Sequence, residues 1–451
     1  MKQKITLLFF IISSAVYSQC WEQVSAGTIH TLGLMTDGSL WAWGYNLEGQ
    51  LGIGNNSNQN SPVRVGTDND WISISAGSSF SLGLKSDGTL WAWGYNVYGQ
   101  LGDGTLDSSN VPIQVGADTD WQLISAGGSS GYAIKTNGTL WVWGQNSKGQ
   151  LGLGNLTNRL IPVQVGTDTD WQNISGGRSH VLATKTNGTL WSCGYNMFGQ
   201  LGLNSTSDRA TFQQIGADTD WNLISAGGDH SVATKTNGIV YSWGLNNYGQ
   251  LGDGTTTQKL VPTVILDDAV AVSAGFSHSG VILSTMVYYS WGQNNYGQLG
   301  NGTTTGSSNP LASSALNDRI EIENGNRFSL VKNVDGFLYA TGRNHYGQLG
   351  DGTNVNRSTW TPISCESLST SEVALNTTFK LYPNPVRSEL TVVVETALKS
   401  VVIYNNLGQE VLSRRAHTNK ERINVSQLSA GVYYLKVFSD DGVQTQHFIK
   451  E

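Results

Sequence analysis

A repeat of about fifty residues constrains this chain more than any other feature. Trp21, Trp71, Trp121, Trp171 and Trp221 fall at a spacing of fifty, each opening a segment like Trp-Gln-Leu-Ile-Ser-Ala-Gly, and weaker openings follow at Ala269 and Arg319. Gly-Gln-Leu-Gly occurs seven times, starting at Gly49, Gly99, Gly149, Gly199, Gly249, Gly297 and Gly347. A unit of this size cannot bury its apolar face alone, so its neighbours must cover it. Each unit reads as four short strands; in the second these are Pro62–Val65, Trp71–Ala76, Phe80–Lys85 and Thr89–Gly94. Asp87-Gly88, between the last two, favours a two-residue hairpin turn. The same slot holds Asp37-Gly38, Asn137-Gly138, Asn187-Gly188, Asn237-Gly238 and Asp335-Gly336, whereas the sixth unit has Thr285-Met286.

Four antiparallel strands repeated radially make a propeller. The expected fold class is all-β: a seven-bladed β-propeller followed by a small C-terminal β-sandwich. With the strands grouped as above, the chain starts on the second strand of the pattern and ends on the first, Thr361–Cys365. One blade is therefore expected to be shared by the two ends. Cys20 and Cys365 would then face each other across a hairpin, and a Cys20–Cys365 disulfide is expected to fasten the ring. Cys193 takes a slot filled elsewhere by Trp43, Trp93 and Trp143, which predicts a buried free thiol.

The first residues read as an export signal. Lys2 and Lys4 precede a short apolar run, Ile5 to Ile12, and small residues lead to Ser18. Residues 1–18 are assigned as a signal peptide, and no run approaches the roughly 18 apolar residues of a transmembrane span. The propeller then occupies 19–365, a Ser/Thr-rich linker 366–378, and a second domain 379–451. Residues 19–378 carry 26 acidic against 15 basic side chains. That balance argues against nucleic acid, whose backbone needs clustered Lys and Arg.

Strand order sends the Asp-rich turns and the Asn-Gly hairpins to one rim. That rim collects Asp68, Asp70, Asp118, Asp120, Asp168, Asp170, Asp218 and Asp220. Calcium is one reading of such pairs, but the glycine and distal glutamate of a calcium loop are missing, and aspartate is an ordinary turn residue. The other rim carries Tyr98, Phe198, Tyr248, Tyr296 and Tyr346 just before the Gly-Gln-Leu-Gly glycine, with Tyr45, Tyr95 and Tyr195 three residues earlier in their units. Aromatic rings on a rim suit protein recognition; the plainer alternative is that each ring packs its own loop. His30, His180, His230 and His278 share one slot, one per blade, and so do not converge on a metal. No zinc-protease motif or phosphate loop appears, so no catalytic residue, metal or cofactor is assigned.

The pattern Trp-Gly-x-Asn-x-x-Gly-Gln-Leu-Gly, as from Trp93 to Gly102, together with Ser-Ala-Gly-x-x-His, resembles the regulator-of-chromosome-condensation repeat family over residues 21–364. The resemblance implies a seven-bladed propeller that usually works by holding proteins, with the repeat histidine serving packing. Cys193 and Thr341, standing where the family has tryptophan, depart from it. In the tail, Leu390–Val394, Ser400–Tyr404, Glu421–Val425 and Val432–Phe438 look like strands. Tyr382, Pro383, Asn384 and Pro385, then Gly408 and Gln409, then Gly431 and Tyr433, and finally Lys450, are similar to the type A sorting domain of the type IX secretion system. That likeness implies export and handling by the type IX machinery. The expectation is a secreted or outer-membrane-surface propeller that binds an extracellular protein or glycan without catalysis. Alternatives implied by the repeat family are guanine-nucleotide exchange and inhibition of an extracellular enzyme; polysaccharide binding through the aromatic rim is another.

Overall fold

A computed structural model describes residues 21–313, 318–363, 379–394, 398–405, 410–416, 418–439 and 442–451. The chain divides into two compact units, 1–365 and 366–451. In the first, seven four-stranded antiparallel sheets follow one another as blades, running Trp21 to Arg64, Trp71 to Gln114, Trp121 to Gln164, Trp171 to Gln214, Trp221 to Leu266, Ala269 to Ala312 and Arg319 to Ile363. Within each blade the strands pair in chain order. The first strands surround the central channel and the fourth strands form the outer edge.

The phase of the repeat differs from the sequence expectation. Ser109–Gln114 pairs with Leu90–Gly94, putting Gln114 opposite Trp91 and Ile113 opposite Ala92. The strand that follows each long loop therefore folds back onto its own blade. The short turn Gly66–Asn69 resembles a hairpin by length, yet it carries the chain from the outer edge of one blade to the inner strand of the next. No blade is shared by the two ends. The ring closes by packing blade 7 against blade 1, with the contacts used at the other seams: Trp43 Nε1 donates to Gln348 O at 3.1 Å, as Trp93 Nε1 donates to Gln50 O at 2.9 Å. Val65 follows the last strand of blade 1 and Asp70 precedes the first strand of blade 2, and Ile363, not Cys365, takes the place of Val65, pairing with Leu338. The facing-position argument for Cys20 and Cys365 thus falls; both cysteines lie outside the described residues.

Tryptophan fills the seams. Trp43, Trp93, Trp143, Trp243 and Trp291 are fully buried, each on a glycine of the preceding blade's long loop (Gly52 against Trp93, for example). A Cβ at Gly52 would lie 2.8 Å from the indole, and φ is +71° there, so both space and backbone demand glycine. Cys193 is buried and free, its Sγ 3.6 Å from Gln150 O, and Phe212 fills the space left by the missing indole. Burial pushes this thiol well above its ordinary pKa. Blade 7 repeats the exchange, with Thr341 in the slot and Trp360 packed on Gly300.

The second unit is a sandwich of two sheets. Lys380–Tyr382, Glu389–Val393 and Lys420–Asn424 form one; Glu410–Arg415, Leu398–Tyr404, Gly431–Ser439 and Gly442–Lys450 form the other. Leu390, Val392, Val401, Ile403, Leu435 and Phe448 are buried between them. In Gly431–Ser439 alternate residues, Tyr433, Leu435 and Val437, are buried, as a half-buried sheet requires. No helix is present among the described residues.

Candidate functional site: two rims and the channel mouth

The first rim is closed by its own charges. Lys85 Nζ lies 2.5 Å from Asp68 and 3.1 Å from Asp70, and hangs 4.9 and 4.8 Å from the ring centres of Trp71 and Trp91. Burial alone would lower this ammonium's pKa, but the two carboxylates outweigh it and raise it. Lys135, Lys185 and Lys235 repeat the clamp. The aspartate pairs therefore already hold a cation, the protein's own ammonium. Blades 1, 6 and 7 carry Met35, Leu283 and Asn333 in the lysine slot, and their preceding turns lack the Asp-x-Asp pair. Among the described residues no group of three or more His, Cys, Asp or Glu side chains is arranged to hold a metal.

The histidines serve the seams. His30 Nε2 lies 2.9 Å from Ser81 Oγ, which donates to Gln50 O at 2.8 Å; His180–Ser231, His230–Ser279 and His278–Ser329 repeat the pair. The serine hydrogen is spent on the carbonyl, so Nε2 carries the ring proton. Burial pushes the histidine pKa values down, to about 3 for His30 and His230 and about 4 for His180 and His278.

The second rim is built from the long loop of each blade. Asn46 Nδ2 donates to Asn55 O and Ser57 O, its Oδ1 accepts from Leu51 N, and Gln50 Oε1 accepts from Glu48 N. A buried asparagine and glutamine thus fix the loop from within and leave residues 45, 47 and 48 on its surface. Around the ring, slot 48 of one blade meets slot 45 of the next. Tyr346 and Tyr45 make an edge contact at 4.9 Å, and Lys148 lies 5.0 Å over Tyr195. At the blade 6–7 seam, Arg343 sits 5.6 Å over Tyr296 and equally far over Tyr346. All eight aromatic residues named from the sequence lie on this rim. Tyr45 joins Tyr346 and Tyr195 joins Phe198, while Tyr248 and Tyr98 are the most exposed, at 50% and 37%. Tyr95 and Tyr296 are half-buried.

Three features of this rim escaped the sequence reading. Arg327 and Arg343 join the aromatic belt. An arc of exposed apolar tips, Leu47, Val97, Leu106, Leu156 and Met197, occupies blades 1 to 4. At the channel mouth, a cavity of about 310 Å³ is ringed by the turns between first and second strands. Arg178 reaches Asp229 there at 3.5 Å and lies 5.5 Å over Phe276. Burial raises the Asp229 carboxyl, and Arg178 offsets part of that rise. Comparing slots across the repeat exposes the apolar arc, because blades 5 to 7 carry Asn247, Asn295 and His345 where blades 1, 2 and 4 carry Leu47, Val97 and Met197.

Residues 12–280 match the RCC1-like domain family, and 288–331 and 335–375 match the regulator of chromosome condensation (RCC1) repeat. The chain belongs to the RCC1-like domain family. Human WBSCR16 superposes with a TM-score of 0.66 at 21% identity, over 72% of this chain and 94% of that one. Prp20p of Saccharomyces cerevisiae gives 0.65 at 19% identity, over 80% and 90%. At these identities the likeness speaks for the fold alone. The ultraviolet-B receptor UVR8 of Arabidopsis thaliana is 52% identical over 44 residues, about 10% of each chain's length. Residues 380–451 match the secretion system C-terminal sorting domain, so this RCC1-like propeller carries a tail that supports secretion or display at the outer-membrane surface. Within that tail, Asn384 Oδ1 accepts from Ile449 N at 2.8 Å, Gly431 pairs with Lys450, and Tyr433 stacks on Phe448 at 5.7 Å. Asn384, Gly431 and Lys450, which the sequence reading places in the tail motif, therefore meet along one strand, with Tyr382 exposed; Gly408 and Gln409 lie outside the described residues.

Proposed function

We propose that this protein is a non-catalytic binding propeller, released or displayed outside the cell, that holds a protein partner on its second rim. The observation carrying the reading is the contrast between rims. On the first, four clamps each hold one lysine between two aspartates, so the ammoniums are spent inside the blades and what remains is an acidic turn surface with no aromatic belt. The second presents Tyr98, Tyr248 and an apolar arc on loops held rigid from within, and rigid aromatic residues give contact area at little entropic cost. Repetition weighs against catalysis, since catalysis needs one asymmetric constellation of acid, base or nucleophile. Nucleotide exchange, enzyme inhibition and glycan binding are tested against this reading by one experiment. Crosslinking of the full chain on the cell envelope, through a photoreactive residue at Tyr248, should yield a protein adduct that the same residue at Asn137 does not. Adducts from Asn137 alone would overturn the rim assignment. For export, a fluorescent reporter fused to residues 366–451 behind the signal peptide should reach the medium or cell surface, and its retention in the periplasm would refute a sorting role.

A further inference from the structure

Fifteen basic side chains lie in residues 19–378, and thirteen of them spend their donors inside the ring. Eight lysines and arginines on the two rims meet carboxylates, among them Arg357 with Asp351 at 2.7 Å and Lys259 with Asp253 at 3.2 Å. Lys332 pairs with Glu321 and Arg319 with Asp318 at the closing seam. Arg64, Arg159 and Arg209 donate to backbone carbonyls of their own loops. Arg327 and Arg343 do neither among the described residues. Arg327 lies 5.4 Å over Tyr296 and reaches its hydroxyl at 3.4 Å; Arg343 lies between Tyr296 and Tyr346, and its Nε meets His345 Nδ1 at 3.3 Å. With Tyr45 against Tyr346, these six side chains form a continuous ladder of edge and cation–π contacts across blades 6, 7 and 1.

A second observation marks the same place. Arg327 holds φ at +102°, while the six residues in its slot on the other blades do not enter the positive region. Such a conformation persists in a non-glycine residue only where the surroundings enforce it, and it clusters at binding sites. A belt of backbone bonds circles the channel mouth, from Thr28 N to Gly77 O at 3.2 Å through Phe276 N to Gly325 O at 3.3 Å. At the step from Asn326 to Gly27 it carries no such bond among the described residues. The turn is released from the belt there and aims Arg327 at the tyrosines.

We propose that this ladder is the docking site for an acidic segment of a protein partner, its carboxylates taken by the Arg327 and Arg343 guanidiniums. The proposal rests on the second rim being the binding rim. Arg343 spends its Nε–H on His345 and Arg327 one Nη1–H on Tyr296, so the remaining Nη hydrogens of each guanidinium are left to meet a carboxylate with charge-assisted N–H···O bonds. These ring contacts also hold the side chains beforehand, so little freedom is lost on binding. A protein segment is favoured over an acidic glycan because the apolar arc on the same rim offers aliphatic contacts that a sugar acid does not use.

The test is selection of random twelve-residue peptides displayed on phage against the full chain, followed by affinities of the enriched peptides as synthetic, labelled ligands. Enriched peptides should carry neighbouring Asp or Glu beside apolar residues. Arg343→Gln should weaken them about tenfold, the worth of one charge-assisted hydrogen-bonded pair. Arg343→Lys should recover only part, because lysine keeps the charge and loses the fork. Arg327→Gln serves as a second variant, with circular dichroism checking that each variant folds. Acidic peptides that bind Arg343→Gln and Arg327→Gln as tightly as the native chain would overturn the proposal. So would polygalacturonate binding that these arginines govern while acidic peptides fail to compete. Peptides without acidic residues, lost on Leu106→Asp and Leu156→Asp but indifferent to the arginines, would overturn the ladder and leave the rim standing. Peptides lost only on first-rim substitutions such as Val270→Asp would overturn both.

Discussion

Lowering the pH from 7.5 to 5.5 should loosen the ring at four of its seams together. His30, His180, His230 and His278 are buried and neutral in the fold, with pKa values pushed down to about 3 or 4, whereas an unfolded chain protonates each near 6.5. Their folded pKa is depressed, so their stabilisation is whole above about 6.5 and is lost as the pH falls from there toward the folded values. Each histidine forfeits roughly 1.4 kcal/mol by pH 5.5, or about 5 to 6 kcal/mol for four. Glu323 works the other way: burial, then Glu321, push it up to about 8, so the fold gains protons there as the pH drops. That returns at most about 2 to 3 kcal/mol, leaving a net loss of about 3 kcal/mol or somewhat more. For a ring of this size the melting temperature should fall by about 4 °C. Calorimetry in matched buffers at the two pH values measures it. The protein also supplies its own control, since blade 2 has Phe80 in the histidine slot and Gly131 opposite, without serine. Replacing His30 by Phe together with Ser81 by Gly, and likewise at the other three seams, should abolish the loss and leave only the Glu323 gain, so that this variant melts slightly higher at pH 5.5 than at pH 7.5. A quadruple pair variant that stayed as acid-sensitive as the native chain would show that the buried histidines are not its cause.

Cys193→Trp alone should destabilise blade 4 by about 2 kcal/mol, because Phe212 already fills the space the indole would enter, and Phe212→Pro in the same chain should recover most of it; urea denaturation of the single and double variants tests this. Lys185→Met should cost about 1 to 2 kcal/mol, held to that range by the solvent exposure of Asp168 and Asp170, and the loss should shrink when the melts are repeated at high salt. Adding Asp168→Thr and Asp170→Gln to Lys185→Met should return part of that stability, since blade 1 carries Met35 in a seam without the pair; no recovery on thermal melting would count against the clamp as the reason those aspartates are there.

What was legible in the sequence follows from what a period can encode. Seven copies of one pattern fix the number of blades, the four-strand count and the two chemically unlike rims, because each slot is read seven times over. The phase of strands against blades is not in the period, since shifting the grouping by one strand leaves the same repeat. Turn length suggested the wrong shift: a four-residue turn looks like a hairpin, whereas here it bridges two sheets, and the hairpin-like partner lies beyond the long loop from Tyr95 to Ser108. One correlation in the sequence does carry the phase. Where the seam tryptophan is present, the outer strand has Pro62, Pro112, Pro162, Pro262 or Pro310; where it is absent, at Cys193 and Thr341, the outer strand has Phe212 and Trp360. An aromatic residue can compensate for a lost indole only by reaching the same space, which ties that strand to the blade before it and not to the blade after. The same comparison of slots separates scaffold from site. Histidine with serine, lysine with its aspartate pair, and tryptophan with proline each vary together between contacting positions, as packing and neutralisation require. Arg327 and Arg343 vary with no internal carboxylate, and a charge that the ring does not need for itself is the one available to something outside it.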